Sequence, residues 1–199
     1  MGNYLQDRDF TDYVHKNLAI PLIYKRLNWE VQTINNNVIT NVDISNAVDR
    51  FLIDINKKKI ITTQERFRDE KYANFSDFTI RYKRDFNTHE ERRLSEFFKL
   101  EADYFVYGII NSSKFRRDQA TDFVKFAVID VTILKKLFDT GYILIDENFL
   151  SYKSVEKNGK MICPVIFNKD KSSSFIPIDI SILKKLFNHT NVVILSKGF

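Results

Sequence analysis

The chain contains little cysteine, glycine or proline, and each shortage limits what it can be. Its one cysteine, Cys163, excludes an intramolecular disulfide and cannot by itself build a zinc site. Five glycines and three prolines argue against a loop-rich or disordered protein. The 199 residues are 44% hydrophobic, which suffices for a packed core. This length predicts a single domain over 1–199.

The sequence also lacks any long hydrophobic run. Its longest apolar stretches, such as 104–110, have the length of a strand and are far too short for a membrane span. Charged residues at Asp7, Arg8, Asp9 and Asp12 interrupt the start, so a secretory signal is not expected. Together with the single cysteine, these features predict a cytoplasmic protein with no membrane partner.

Several catalytic patterns are missing as well. The three histidines are scattered, and no pair has metal-ligand spacing. No Ser-His-Asp or Cys-His arrangement is evident. No glycine-rich phosphate loop is present, so neither ATP hydrolysis nor a nucleotide cofactor is expected.

Positive charge is moderate in total but clustered along the chain. The net charge is +5 and the isoelectric point is about 9.1, which permits nucleic-acid binding. Basic side chains gather at Arg68, Arg81, Lys83 and Arg84, and these are candidate contacts to nucleic acid. The alternative is that they form a solvated surface with no ligand.

Hydrophobic periodicity predicts an α/β fold with a central mixed sheet flanked by helices. Apolar residues at helical spacing predict a helix over 8–27, with a kink or break at Pro21. Strand patterns occupy 29–34, 48–55, 59–68, 78–84 and 104–110. A helix opening at Thr88 separates the last two strands, which predicts that both belong to the same sheet.

The C-terminal half contains an internal repeat. The segment 129–138, IDVTILKKLF, recurs at 178–187 as IDISILKKLF, and each copy follows an apolar stretch. Asp130 and Asp179 are therefore expected to cap helices that follow strands. Asn158-Gly159 predicts a hairpin that joins 149–155 to 161–167.

Polar residues in two neighbouring strands form the candidate site. Asp49 interrupts an apolar strand, and Gln64-Glu65-Arg66 lies within the next one. Because side chains alternate along a strand, Gln64 and Arg66 project to one face and Glu65 to the other. A carboxylate, an amide and a cation brought together could hold a divalent metal and a phosphate.

This order of elements resembles the PD-(D/E)xK nuclease superfamily, whose fold is restriction-endonuclease-like. Asp49 matches the first acid of the motif, and Gln64-x-Arg66 matches the second part in a variant with glutamine and arginine. The similarity covers about 8–110, which it marks as a nuclease-like core, with 120–199 as a C-terminal extension of the same domain. The resemblance implies a DNA endonuclease that uses Mg²⁺ or Mn²⁺, with a homodimer as a possible assembly.

The resemblance also implies roles for individual residues. Asp49 and Gln64 would bind the metal, and Arg66 would contact the scissile phosphate. Arginine stabilises negative charge but is a poor general base, since it does not lose its proton. Glu65 would join the metal ligands only if a β-bulge turned it inward. Asp12 is the candidate for an additional acid from the first helix.

Two other interpretations remain open. In the first, the chain has the nuclease fold without the activity and binds DNA. In the second, it has the same fold and binds a protein partner, since a fold alone does not fix function. The residue-level alternative is that Asp49 is a salt-bridged edge residue and that 64–68 form a solvated face.

Overall fold

The computed structural model describes residues 4–32, 47–83, 96–169 and 173–199. Thr88 and Arg84, named above, lie outside these residues. Helices are α1 over 4–27, α2 (Glu96–Lys99), α3 (Val131–Asp139) and α4 (Ile180–Phe187). Strands are β1 (Trp29–Val31), β2 (Arg50–Asp54), β3 (Lys59–Arg68), β4 (Asp77–Lys83), β5 (Tyr104–Ile110), β6 (Phe123–Asp130), β7 (Ile143–Asp146), β8 (Val155–Lys157), β9 (Lys160–Pro164), β10 (Ile166–Phe167), β11 (Ser174–Asp179) and β12 (Val193–Lys197).

A six-stranded mixed sheet forms the centre of the fold, with the order β1-β2-β3-β5-β6-β12. The pair β3 and β5 is parallel, and the other neighbours are antiparallel. Every residue of β5 is buried, as expected for a continuous apolar run that is covered on both faces. The predicted α/β architecture with a mixed central sheet is thus confirmed.

Two smaller sheets were not predicted. One has the order β10-β11-β4 and the other β7-β9-β8. The prediction that β4 and β5 share a sheet is wrong, because β4 pairs antiparallel with β11 while β5 pairs with β3. Strands β4 and β11 are about a hundred residues apart in the chain, and the sequence pattern carries no signal for such a pairing.

A kink or a break was expected at Pro21, but the first helix continues through this residue without a break. An α-helical segment (Tyr4–Val14) leads into a π-helical segment (His15–Tyr24) that contains Pro21, and one further α-helical turn follows. The wider π turn accommodates a ring that would clash with the carbonyl four residues earlier in an α-helix. The helix ends at Asn28, which adopts a left-handed conformation with φ of 55°.

Apolar cores lie on both faces of the large sheet. On one face, α1 packs through Val14, Leu18 and Ile23 against the sheet residues Leu52 and Val106. On the other face, a larger core combines β4, β5, β6 and β11 with the apolar sides of α3 and α4. The sheet is therefore flanked by helices on both sides, and a separate apolar core covers each face.

The internal repeat is a structural repeat as well. Asp130 accepts a hydrogen bond from the backbone N–H of Ile133 at 2.9 Å, and Asp179 accepts one from Ile182 at the same distance. Both copies are strands that run directly into capped helices, as predicted. They lie in different sheets, because β6 joins the six-stranded sheet and β11 pairs with β4.

The hairpin at Asn158-Gly159 is confirmed, although its arms are shorter than predicted. Both turn residues have positive φ, at 52° and 72°, and β8 pairs with β9 from Lys157 and Lys160 onward. Residues 166–167 leave the hairpin and pair instead with β11.

The C-terminal range contributes directly to the main sheet, since β6 and β12 extend the sheet formed by β1, β2, β3 and β5. The division into a core at 8–110 and an extension at 120–199 stays a prediction. Among the described residues, no helix is both long and apolar enough to cross a membrane.

We predict that each of the substitutions Asp130→Ala and Asp179→Ala lowers the free energy of unfolding by about 1 kcal/mol, because each leaves a helix N-terminus uncapped. Thermal unfolding followed by circular dichroism measures the effect. Asp139→Ala is the matched control, because this acid lies exposed at the end of α3, where it caps nothing. Equal effects of all three substitutions would contradict the capping role.

Candidate functional site

Strand β3 divides the candidate residues between the two faces of the sheet. It pairs in register with β5, so that Gln64 is beside Phe105 and Glu65 is beside Val106. Phe105 belongs to the core that contains β4, whereas Val106 belongs to the core under α1. Gln64 and Arg66 therefore face away from α1, and Glu65 faces it, as strand alternation predicts.

Glu65 is buried beneath α1 in a network of hydrogen bonds. Its side chain has no exposed surface, and His15 Nδ1 lies 2.7 Å from Oε1. Tyr24 donates its hydroxyl to the same oxygen, and Arg50 Nε donates to Oε2 at 3.3 Å. Because an ionised carboxylate only accepts, His15 carries the proton on Nδ1. Both helix partners come from the π-helical segment, so Glu65 attaches this part of α1 to the sheet.

The network keeps Glu65 ionised despite its burial. Burial alone would raise the pKa of this carboxyl, but the attraction of His15 and Arg50 and the hydrogen bonds from His15 and Tyr24 hold it below its ordinary value. Burial, followed by the nearby charge of Glu65, raises the pKa of Tyr24 well above its usual value, so its hydroxyl stays a donor. Sequence inspection offered no signal for this contact, because its members are 41 and 50 residues apart.

Asp12 lies on the same side of the sheet as Glu65. It accepts a hydrogen bond from Arg50, and its side chain is half exposed. Burial would lower the pKa of Arg50, but the charges of Glu65, Asp12 and Asp49 outweigh it, so the pKa is raised. Asp12 and Glu65 thus share Arg50 as a partner. They lie on the face of the sheet opposite to Gln64 and Arg66. The five predicted catalytic residues do not form one common cluster.

Asp49 lies just before β2, rather than inside a strand as expected. Its backbone N–H donates to the carbonyl of Thr63 at 2.8 Å, and its carboxylate accepts from the N–H of Glu65 at 2.6 Å. These two bonds attach Asp49 to the backbone on both sides of Gln64. The structure therefore places Asp49 beside the backbone of Gln64.

Gln64 is buried, and its amide oxygen has no hydrogen-bond partner among the described residues. An unsatisfied buried acceptor costs free energy, so such an atom calls for an explanation. A cation bound beside Asp49 would satisfy the amide oxygen of Gln64, because Mg²⁺ prefers oxygen ligands of this type. In this respect the residues present fit the predicted metal.

Arg66 is held by neighbours rather than left free. It donates to the backbone carbonyl of Thr79 at 2.6 Å and forms an ion pair with Glu96 on α2. Glu96 also accepts from the backbone N–H of Arg81 at 3.1 Å, while its other oxygen is buried without a partner among the described residues. Sequence reasoning missed Glu96, since nothing marks it among the many acids of the chain.

A cavity of about 370 Å³ opens between β3 and β5 of the large sheet and the small sheet formed by β4, β10 and β11. Three arginines line it, namely Arg66, Arg68 and Arg81. Two of the predicted nucleic-acid contacts, Arg68 and Arg81, are thus gathered at one place. Lys83 instead pairs with Glu147 on the surface at 2.8 Å.

Asp77 is an acid in this arginine-lined cavity, and its environment is unusual. Burial raises its pKa to about 6, and the neighbouring Asp179, its partner across β4 and β11, adds to the effect. Asp179 is occupied in capping α4. At neutral pH the cavity therefore contains one carboxylate whose charge is easily removed, together with three guanidinium groups.

Within the described ranges, no three His, Cys, Asp or Glu side chains lie close enough together to hold a metal ion. The chain matches no family model, and neither a curated protein nor a solved structure shows significant similarity to it.

We predict that Glu65→Ala destabilises the protein by about 3 kcal/mol, because it leaves His15, Tyr24 and Arg50 without their buried acceptor. Urea unfolding followed by fluorescence measures this, since the single tryptophan, Trp29, is buried and packs near Tyr24. Glu30→Ala is the control, because this acid is exposed on the neighbouring strand β1. A loss below 1 kcal/mol for Glu65→Ala would contradict the anchoring role.

We predict a pH-dependent effect of Asp77→Asn. The folded protein keeps a proton on Asp77 up to about pH 6, whereas an unfolded chain releases it near pH 4. The protonated acid therefore favours folding below pH 4, and this contribution is lost as the pH rises through 6. Relative to wild type, Asp77→Asn should be more stabilising at pH 7 than at pH 4 by about 1–2 kcal/mol.

Urea unfolding at the two pH values measures this difference. Asp118→Asn is the control, because Asp118 is exposed on the surface and does not line the cavity. If the effect of Asp77→Asn were the same at both values, Asp77 would not carry a raised pKa.

Proposed function

We propose that the chain is a Mg²⁺-dependent DNA endonuclease with a restriction-endonuclease-like fold. The observation that carries this proposal is the position of Asp49, which is hydrogen-bonded to the backbone on both sides of Gln64, whose amide oxygen is buried and unsatisfied. Carboxylate and amide oxygens together suit a hard divalent cation. Mn²⁺ would be an acceptable substitute, because it favours the same oxygen ligands.

The arrangement of elements supports the proposal. The resemblance implies the order helix, three strands, a further strand and a helix, and along the chain α1 is followed by β1, β2, β3, β4 and α2. Strands β1, β2 and β3 pair antiparallel, and β5, which comes after α2, pairs parallel with β3. Asp49 lies just before the second strand of the sheet, and Gln64 and Arg66 lie on the third. The location of Asp49, Gln64 and Arg66 on or beside neighbouring strands supports the proposal, although fold alone does not establish chemistry.

Each residue has a defined task in this proposal. Asp49 and Gln64 would hold the ion, which when bound neutralises phosphate charge and supplies an activated water. Arg66, kept in place by Glu96 and Thr79, would add positive charge beside the phosphate. Glu65 would act indirectly, because its burial on the other face fixes the direction in which Gln64 and Arg66 point.

We predict that the wild-type protein cleaves plasmid DNA in Mg²⁺ and that Asp49→Asn reduces the rate at least about a hundredfold, because it removes the charged ligand. Gel analysis of supercoiled plasmid at several time points measures the rates. Asp54→Asn is the control, since Asp54 is a buried acid of the same strand region that pairs with Lys57 instead. Equal rates for wild type and Asp49→Asn would remove Asp49 from the mechanism.

The second candidate function is DNA binding without cleavage. The specific observation in its favour is Arg66, which replaces a titratable lysine and is already neutralised by Glu96. A wild-type protein that retards DNA at low salt, with affinity falling steeply as salt rises, yet leaves plasmid intact in both Mg²⁺ and Mn²⁺, would decide for this function. If DNA were neither cleaved nor retarded at low salt, a protein-binding role would be the remaining interpretation.

A further inference from the structure

The arginine-lined cavity has the size and position of a small-molecule site. Its volume of about 370 Å³ lies within the range of roughly 300–1,000 Å³ that such sites occupy. It is formed where two sheets diverge, with β3 and β5 on one side and β4, β10 and β11 on the other. The strands that build its walls are rigid elements, which favours a preformed site.

Positive charge exceeds negative charge among the described residues that line the cavity, because Asp77 is the one acid beside three arginines. Arg66 is paired with Glu96, but Arg68 forms no ion pair with any described residue. The guanidinium of Arg68 lies over the ring of Tyr72 at 5.1 Å and makes one long contact of 3.4 Å with the hydroxyl of Thr79. Burial and the neighbouring charge of Arg66 lower the pKa of Arg68. A bound anion would stabilise the charged guanidinium of Arg68 against both its burial and the repulsion from Arg66.

The rest of the cavity is suited to a flat apolar group. Aromatic and apolar side chains also line the cavity, from Phe75, Tyr152, Ile166, Phe175 and Pro177. Two of these aromatic residues are open to solvent, since Phe75 is 48% exposed and Tyr152 is 86% exposed. A nucleobase stacks well on such rings.

We propose that this cavity binds a nucleoside monophosphate, with its phosphate on Arg68 and its base against the aromatic wall. The source of the nucleotide is either the free molecule or the phosphorylated end of a DNA strand. Arginine is the residue best suited to a phosphate, since its planar fork donates two parallel hydrogen bonds. This inference does not depend on cleavage, because the cavity contains neither Asp49 nor Gln64.

Isothermal titration calorimetry with thymidine 5′-monophosphate, in EDTA and low salt, tests the proposal. We expect binding by the wild-type protein, and an affinity at least about tenfold lower, or 1.4 kcal/mol, for Arg68→Gln. Arg68→Lys, which keeps the charge but loses the fork, should give an intermediate affinity. Arg26→Gln is the control for net charge, because Arg26 is exposed on α1 away from the cavity.

Two further ligands complete the test. Thymidine without a phosphate should bind at least about tenfold more weakly than the monophosphate. Arg68-dependent binding of the monophosphate identifies the free nucleotide as a ligand, whereas Arg68-dependent binding of a 5′-phosphorylated oligonucleotide alone identifies a strand end. The proposal is overturned if neither ligand binds, if thymidine binds equally well, or if Arg26→Gln weakens binding as much as Arg68→Gln.

The calorimetric test of the cavity and the cleavage test of the proposed nuclease can fail independently of each other. EDTA removes any metal, so a lack of nuclease activity leaves the calorimetric result unchanged. Urea unfolding of Arg68→Gln and Arg68→Lys verifies that both variants fold before their affinities are compared. If Arg68→Gln is unfolded, the comparison of wild type with Arg68→Lys decides, and equal affinity there overturns the role of the fork.

Discussion

The fold and the candidate site both depend on the burial of one carboxylate. Glu65 is removed from water on the α1 side of the sheet and is compensated by His15, Tyr24 and Arg50. If the pairing of β3 with its neighbours slipped by one residue, Glu65 would point into the core on the other face of the sheet. The network around Glu65 therefore fixes the register of β3. The direction of Gln64, Arg66 and the following Arg68 is a consequence of that register rather than an independent feature.

Local patterns in the sequence predicted local structure well. The bounds of β3 and β5 were correct, as were both helix caps, because each depends on residues within a few positions. Pairings between distant segments could not be predicted: β4 joins β11, and Glu65 meets the helix residues His15 and Tyr24. The same limit applies to the site. Alternation placed Gln64 and Arg66 on one face, but the ion pair with Glu96 and the cavity between two sheets arise only from the tertiary fold.

Two polar features lie on the face of β3 that points away from α1. One is the unsatisfied amide oxygen of Gln64 beside Asp49, which suits a hard cation. The other is the cavity at Arg68, which suits a phosphate. Arg66 lies between them in the chain and lines the cavity. A protein that binds DNA through its phosphates would use both features, and the separate positions of metal and anion ligands allow each to be removed alone.

The central claim is that this face of β3, and not the Glu65 side, is where ligands bind. A crystal structure of the protein soaked in Mn²⁺ tests it most directly, because anomalous scattering locates the ion without assumptions. We predict one peak in contact with the carboxylate of Asp49 and the amide oxygen of Gln64. A peak among Asp12, Arg50 and Glu65, or crystals that bind no Mn²⁺ at Asp49, would contradict the account.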